Sequence, residues 1–377
     1  MGSRLNTVLH ISSPLSWRGG EQQLYYLYKG LKEDKTANFA QKVFCPIGSE
    51  LSSKIDTKDC IIYKKRGGFD ILAAKRLAKI CRKQAITFLH AHDAHSHTTA
   101  VLSAMLFNNA TPIILSRRVD FAVGKNWWSR MKYNHNSIQR IVCVSEAINT
   151  IVQKGTSLNS SKVVTIHSGI DPNKFVKMRS GHLRNELGCK PDEILIGNIA
   201  ALADHKDYFT FIDTVFLLHN KHPSWKFVVI GNGPMELELK QYADQKGLHK
   251  VIHFVGYRTD VQQIFKDLDV LLFTSKTEGL GTTVLDAFGN QVPVVATNAG
   301  GISEMVEDGQ TGLLAEVGDA KDLANKVEQV LQNAELHGKI VAGANQKLKL
   351  FTNEVMINKT RALYSELLLD TNAKSAE

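Results

Sequence analysis

No stretch of this chain comes near the roughly eighteen consecutive apolar residues a membrane-spanning helix needs, so an integral membrane protein is not expected. Cysteine is sparse. Cys45, Cys60, Cys81, Cys143 and Cys189 are scattered, odd in number and form no CxxC pair, which suits reduced thiols rather than a disulfide framework. Gly231-Asn232-Gly233 lacks the third glycine of a dinucleotide-binding turn, because Glu236 stands in its place, and a nicotinamide dehydrogenase is therefore disfavoured. RNP-like aromatic spacing and zinc-finger spacing are also missing, so no nucleic-acid partner is expected. There is no short-period repeat and no low-complexity segment. The amino terminus enters Thr7-Val8-Leu9-His10-Ile11 without the longer apolar run and small-residue cleavage site of a secretory leader. Together these absences lead to the expectation of a soluble, cytoplasmic protein.

What is present supports two domains: 377 residues, of which 43% are hydrophobic, can fill two cores. Charge is unevenly distributed. Residues 1–150 hold 22 Lys and Arg against 10 Asp and Glu, and the remainder holds 24 against 27. A basic first half suits an anionic partner. Lys75, Arg76, Lys79, Arg82 and Lys83 share a helical stretch with Leu72, Leu77 and Ile80, and Lys125, Trp127, Trp128, Arg130 and Lys132 interleave indoles with cations. That composition suits a headgroup region, so the inner face of a cytoplasmic membrane is a candidate docking surface.

Short apolar runs alternate with helical patterns along the whole chain. Val43–Pro46, Ile61–Tyr63, Thr87–His90, Ile113–Leu115 and Ile141–Val144 form one series. A second is read from Val163–Ile166 through Ile194–Gly197, Phe227–Ile230, Ile252–Phe254, Val270–Phe273 and Pro293–Thr297. This pattern predicts an α/β protein with two doubly wound, Rossmann-like domains facing across a cleft, with ligands bound outside the carboxyl ends of the strands. The domains are drawn at 1–165 and 166–352, followed by a last helix, 353–377.

Ser275 to Gly301, SKTEGLGTTVLDAFGNQVPVVATNAGG, is the richest stretch. A strand, a glycine-bounded loop and a helix start aim N–H groups at one place, which suits a phosphate. Glu278 and Asp286 beside it would accept hydrogen bonds from hydroxyls. A ligand with both phosphates and hydroxyls, such as a nucleotide sugar, is implied.

Glu278 to Gly301 resembles the donor-site signature of GT-B nucleotide-sugar glycosyltransferases, particularly the large retaining family 4. Further matches follow in order: Ser16-Trp17-Arg18-Gly19-Gly20-Glu21, Val142 to Glu146 with His167 to Asp171, Gly197 to Leu202 with His205-Lys206, Val229 to Pro234, and Val255 to Asp260. The resemblance covers residues 5 to 330, and it implies that the last helix, 353–377, crosses back to the first domain. It implies a hexosyltransferase-type enzyme for polysaccharide, lipopolysaccharide or glycolipid synthesis, with a UDP- or GDP-sugar as substrate, a glycan or lipid-linked acceptor, and no metal or other cofactor. Glu278, Lys206 and Arg118 are the implied catalytic residues. Gly19, Gly20, Asn198, Lys206, Gly233, Tyr257, Arg258, Glu278, Gly279, Leu280, Gly281, Thr282 and Asp286 are the implied donor site, with Asp286 on the ribose hydroxyls and Glu278 on those of the sugar. His92, His95 and Arg117 are placed on the acceptor side.

The chain departs from the family pattern in three ways. Asp286 stands where glutamate is common, Asn198 where arginine is common, and Arg117-Arg118 where a histidine often follows the strand. His90 and His92, with Asp93 and His95 close by, have a spacing used for metals, so a metal-dependent hydrolase is the alternative from another class. A nucleotide-sugar epimerase could use the same two-domain frame. Asp267-Leu268-Asp269 looks like a DxD metal motif but sits at a helix–strand boundary.

Overall fold

The computed structural model describes residues 5–34, 36, 38–124 and 126–376, with side chains to residue 370. Lys125, one of the cations of the indole-rich stretch, lies outside the described residues. The chain divides into two compact units, residues 1–169 with 353–377, and residues 170–352.

In the first unit seven strands form one parallel sheet: β1 (Asn6–Ile11), β2 (Phe39–Pro46), β3 (Cys60–Tyr63), β4 (Phe88–Ala91), β5 (Ile113–Arg117), β6 (Ile138–Cys143) and β7 (Val163–Thr165), in the order β3-β2-β1-β4-β5-β6-β7. The second unit has six parallel strands: β8 (Leu195–Ile199), β9 (Lys226–Ile230), β10 (Ile252–Gly256), β11 (Val270–Phe273), β12 (Val294–Thr297) and β13 (Leu313–Ala315), ordered β10-β9-β8-β11-β12-β13. Strands buried on both faces read as unbroken apolar runs, and parallel neighbours need helical crossovers, which is why the sequence alternates as it does. The α/β class with two Rossmann-like sheets is what the chain forms. One expectation is corrected: Val163–Thr165 does not open the second sheet but closes the first, pairing with β6 at Cys143–Thr165. Order along the chain does not tell which sheet takes up a short edge strand.

Each sheet reverses its strand order once, between β1 and β4 and between β8 and β11. Ligands of such sheets lie beyond the carboxyl ends of the strands at that switch. Lys206 follows β8 and Glu278 follows β11; Gly19 and Gly20 follow β1 and His92 follows β4.

In the first unit one sheet face packs Val8, Phe39, Phe88 and Ile114 against Leu27 and Leu31 of the helix Gly19–Glu33 and against Leu363, Tyr364 and Leu367 of the last helix, Asn353–Ala376. Each fully buried side chain of this size contributes about 1.5–3 kcal/mol. Two residues further along each strand the same face turns polar, because side chains alternate. Gln41, His10, His90 and Ser116 form that layer, all of them buried.

Candidate functional site

In the second unit, Lys206 ends a short 3-10 turn, Asp204–Lys206, and Glu278 sits in the loop after β11. The two loops are tied together. Lys276 N–H donates to the His205 carbonyl at 2.8 Å, and the Thr274 hydroxyl donates to the Asp207 carbonyl at 3.0 Å. Lys206 Nζ then donates directly to Glu278 Oε1, to which the Ser275 hydroxyl also donates at 2.9 Å. The pair is largely shielded, with 15% and 9% of the side chains exposed. Gly300 backs this loop at φ +54°, where a Cβ would lie 2.1 Å from the Glu278 carbonyl, and Gly301 N–H donates to that carbonyl at 3.1 Å. The glycine pair that closes the signature therefore shapes the backbone of Glu278.

Gly281, at φ +85°, starts the helix Thr282–Gly289 with no side-chain cap. The first N–H groups of a helix have no intrahelical partner, so this end presents free donors beside Gly279 and Gly281. Leu280 is buried and can offer only its backbone. On the same helix Asp286 accepts from Lys174 Nζ at 2.7 Å and from Gln262 Nε2 at 2.9 Å, both on Oδ1. Asn198, on β8, is buried with Oδ1 lacking a protein partner among the described residues. Gly233 packs on the loop after β8, where a Cβ would lie 2.3 Å from the Leu202 carbonyl, so packing alone demands this glycine. Tyr257 is exposed. Arg258 has its guanidinium bonded to both oxygens of Glu186 and both of Asp260. Asp267 and Asp269 are likewise engaged, Asp267 by Gly181 and Leu183 N–H and Asp269 by Arg184 and Leu195 N–H.

In the first unit, Gly19 and Gly20 open the helix after β1. A Cβ would meet nothing within 4 Å at Gly19 and only Arg118 Cδ, at 3.8 Å, at Gly20. No packing among the described residues requires these glycines; what they provide is open space. Arg118 lies beside them, with Nη1 3.4 Å from the Ser168 hydroxyl and Nη2 3.4 Å from His92 Nδ1, while its Nε has no partner among the described residues. Burial pulls the Arg118 guanidinium down to about 10, with the Glu21 carboxylate opposing. It is charged at neutral pH with donors to spare.

His92 is buried, with both ring nitrogens in hydrogen bonds. A one-way chain runs through it: Gln41 Nε2 donates to the Phe39 carbonyl at 2.9 Å, so Gln41 Oε1 must accept from His10 Nε2 at 2.8 Å. Neutral His10 then accepts at Nδ1 from His92 Nε2 at 3.0 Å, leaving His92 Nδ1 to accept from Arg118. His90 is held by Tyr364, 2.5 Å from Nδ1, and Ser116, 2.8 Å from Nε2. Arg117, the last residue of β5, is buried and bonded to the Tyr133 hydroxyl at 2.7 Å and to the Phe121 carbonyl, away from the groups that hold Arg118. His95 is exposed near Gly68 on the helix Ala94–Phe107. His10, His90 and His92 bring ligand nitrogens within 4.8 Å of one another. The cluster does not fit an ion, because every ring nitrogen already has a hydrogen-bond partner.

Burial lowers all three histidines, His10 to about 4 and His90 and His92 well below the ordinary value. The unfolded chain protonates them near pH 6.5 and the folded one does not. Stability is therefore full above that pH and is lost as pH falls toward about 4, at roughly 1.4 kcal/mol per pH unit for each histidine. Urea midpoints at pH 7, 6 and 5 check this, and His10→Gln should flatten the slope.

Comparison with known proteins adds an independent line. Residues 181–347 match the family model described as Glycosyl transferases group 1, and residues 17–174 match Glycosyltransferase Family 4. The chain is 22% identical over 307 residues to N-acetyl-alpha-D-glucosaminyl L-malate synthase of Bacillus anthracis, covering 80% of each protein. It is 22% identical over 314 residues to UDP-Gal:alpha-D-GlcNAc-diphosphoundecaprenol alpha-1,3-galactosyltransferase of Escherichia coli, covering 80% of this chain and 81% of that one. Among solved structures, Anabaena Alr3699/HepE in complex with UDP-glucose superposes with a TM-score of 0.81 at 18% identity, over 96% of this chain and 99% of that one.

Proposed function

Because this chain is a GT-B-fold glycosyltransferase resembling family 4, we propose that it moves a sugar from a nucleoside-diphosphate sugar to a hydroxyl of a glycan or lipid-linked acceptor, retaining the configuration at the transferred carbon. UDP is favoured over GDP, since the similar Anabaena structure holds UDP-glucose. One observation carries the proposal: an ammonium, a carboxylate and an uncapped helix start converge beyond β8 and β11, with a second carboxylate further along the helix.

Departure of the diphosphate concentrates negative charge on its oxygens. Lys206 Nζ and the N–H groups at Gly281 and Thr282, with the Thr282 hydroxyl, neutralise it, and such donors act most strongly where water is excluded. Glu278 accepts hydrogen bonds from the sugar hydroxyls, and Asp286 from the ribose. In a same-face displacement the acceptor oxygen bonds to the sugar carbon as the carbon–phosphate-oxygen bond breaks, and the departing phosphate oxygen takes the acceptor proton. No metal is required. In the first unit the space at Gly19 and Gly20 and the spare donors of Arg118 suit an anionic oxygen.

The first unit also carries a face suited to a bilayer. Phe69, Ile71, Leu72 and Trp127 are exposed, Phe69 packs on Trp128 with ring centroids 5.0 Å apart, and Lys75, Arg76, Lys79 and Arg130 stand exposed nearby in sequence. Leu77, on the same helix, lies in the core. Aromatics among cations suit an anionic leaflet that presents a lipid-linked acceptor. Thermal shift against UDP-, GDP- and ADP-sugars, then donor hydrolysis with and without anionic vesicles, tests the whole reading. Stabilisation and turnover with a UDP- or GDP-sugar are expected, and no response to any activated sugar would overturn it. Flotation that shows no preference for anionic over neutral vesicles would remove the membrane part alone.

A further inference from the structure

Asp286 is one methylene shorter than the glutamate common at its place in similar enzymes, and its carboxylate is not free on both sides. Oδ1 accepts from Lys174 Nζ at 2.7 Å and from Gln262 Nε2 at 2.9 Å. A carboxylate oxygen has about two lone-pair directions, so Oδ1 is saturated. Oδ2 has no protein partner among the described residues.

The saturation is built in. Asn290, which is buried, donates through Nδ2 to Gln262 Oε1 at 2.8 Å and to the Asp286 carbonyl at 2.9 Å, so Gln262 must turn its NH2 end toward Asp286. Lys174 is held from another side. It ends a short turn, Pro172–Lys174, capped by the Asp171 side chain through Asn173 N–H at 3.0 Å. The next residue, Phe175, lies so close to the helix Thr282–Gly289 that a Cβ on Gly289 would sit 2.0 Å from its ring. Lys174 spends one N–H on Asp286 and keeps its side chain 30% exposed, with two more donors available.

A vicinal diol offers two hydroxyls, each both donor and acceptor. A carboxylate with two open oxygens reads such a diol by accepting from both; this one cannot. We propose that Asp286 and Lys174 read the ribose as a mixed pair, Asp286 Oδ2 accepting from one hydroxyl and Lys174 Nζ donating to the oxygen of the other. Gln262 acts as a positioning residue that keeps Oδ1 occupied. This rests on the donor-site reading above and assigns Lys174 a role in nucleotide specificity.

Isothermal titration of UDP, 2′-deoxy-UDP and 3′-deoxy-UDP tests it. Wild type should lose about tenfold or more in affinity for each deoxy analogue, as expected for a hydrogen bond to a charged group. Lys174→Met should erase the penalty for one analogue and keep it for the other. Lys174→Arg, which retains donors, should keep both, and circular dichroism confirms that each variant is folded. If folded Lys174→Met keeps both penalties, the carboxylate alone reads the diol and the inference falls. It falls equally if wild type binds UDP but ignores both deletions. Failure of wild type to bind UDP or GDP at all would instead overturn the donor-site reading, and this inference with it.

Discussion

Lys206→Ala is expected to lower kcat by about a hundred- to a thousandfold, the range seen when a donor aimed at developing charge is removed. It should also weaken UDP binding, because the ammonium meets the diphosphate whether or not a sugar is attached. A cost in stability comes with it. Lys206 and Glu278 form a shielded ion pair, and removing one partner of a buried pair costs about 3–5 kcal/mol, since the other charge is stranded. The Ser275 hydroxyl bond to Glu278 offsets part of this. Adding Glu278→Gln to Lys206→Ala removes the stranded charge and should restore most of the urea midpoint while turnover stays low. Near wild-type kcat in the single variant would refute the assignment of Lys206.

Glu278→Gln is expected to behave differently. The amide keeps the size of the side chain and an oxygen for Ser275, but it accepts sugar hydroxyls as a neutral group. The loss of a charge-assisted hydrogen bond, about 1.5–3 kcal/mol, corresponds to a ten- to hundredfold fall in kcat. UDP carries no sugar, so its Kd should stay close to that of wild type, whereas in Lys206→Ala it should not. Steady-state kinetics with titration of UDP separates the two variants. Equal loss of UDP affinity in both would mean that Glu278 acts only through Lys206.

The second-unit site was legible because its parts are close in sequence or tied to strand ends. Glu278, Gly281, Thr282 and Asp286 occupy one strand–loop–helix, and spacing alone puts the helix start beside the acid. Pairings across long separations were not legible. No local pattern links Lys174 to Asp286, or His10 to Gln41 and His92, because strand order decides which side chains meet. The Arg258 pairing with Glu186 was hidden for the same reason, since 72 residues separate the two. Adjacency in sequence likewise did not show that Arg117 and Arg118 take different partners, Tyr133 and Phe121 for the one and Ser168 and His92 for the other. The edge strand β7 and the burial of Leu77 show the limit from the side of packing, since a short apolar run fits either sheet and a helical leucine fits either face.

The hydrogen-bond direction through the three-membered relay of Gln41, His10 and His92 has a consequence for position 118. His92 presents a lone pair there, and it cannot reverse without turning both imidazoles and the Gln41 amide, which the Phe39 carbonyl holds. Only a proton-bearing group is welcome as its neighbour. A carboxylate substituted there would set lone pair against lone pair, so the buried polar layer dictates the polarity of a residue at the very rim of the sheet.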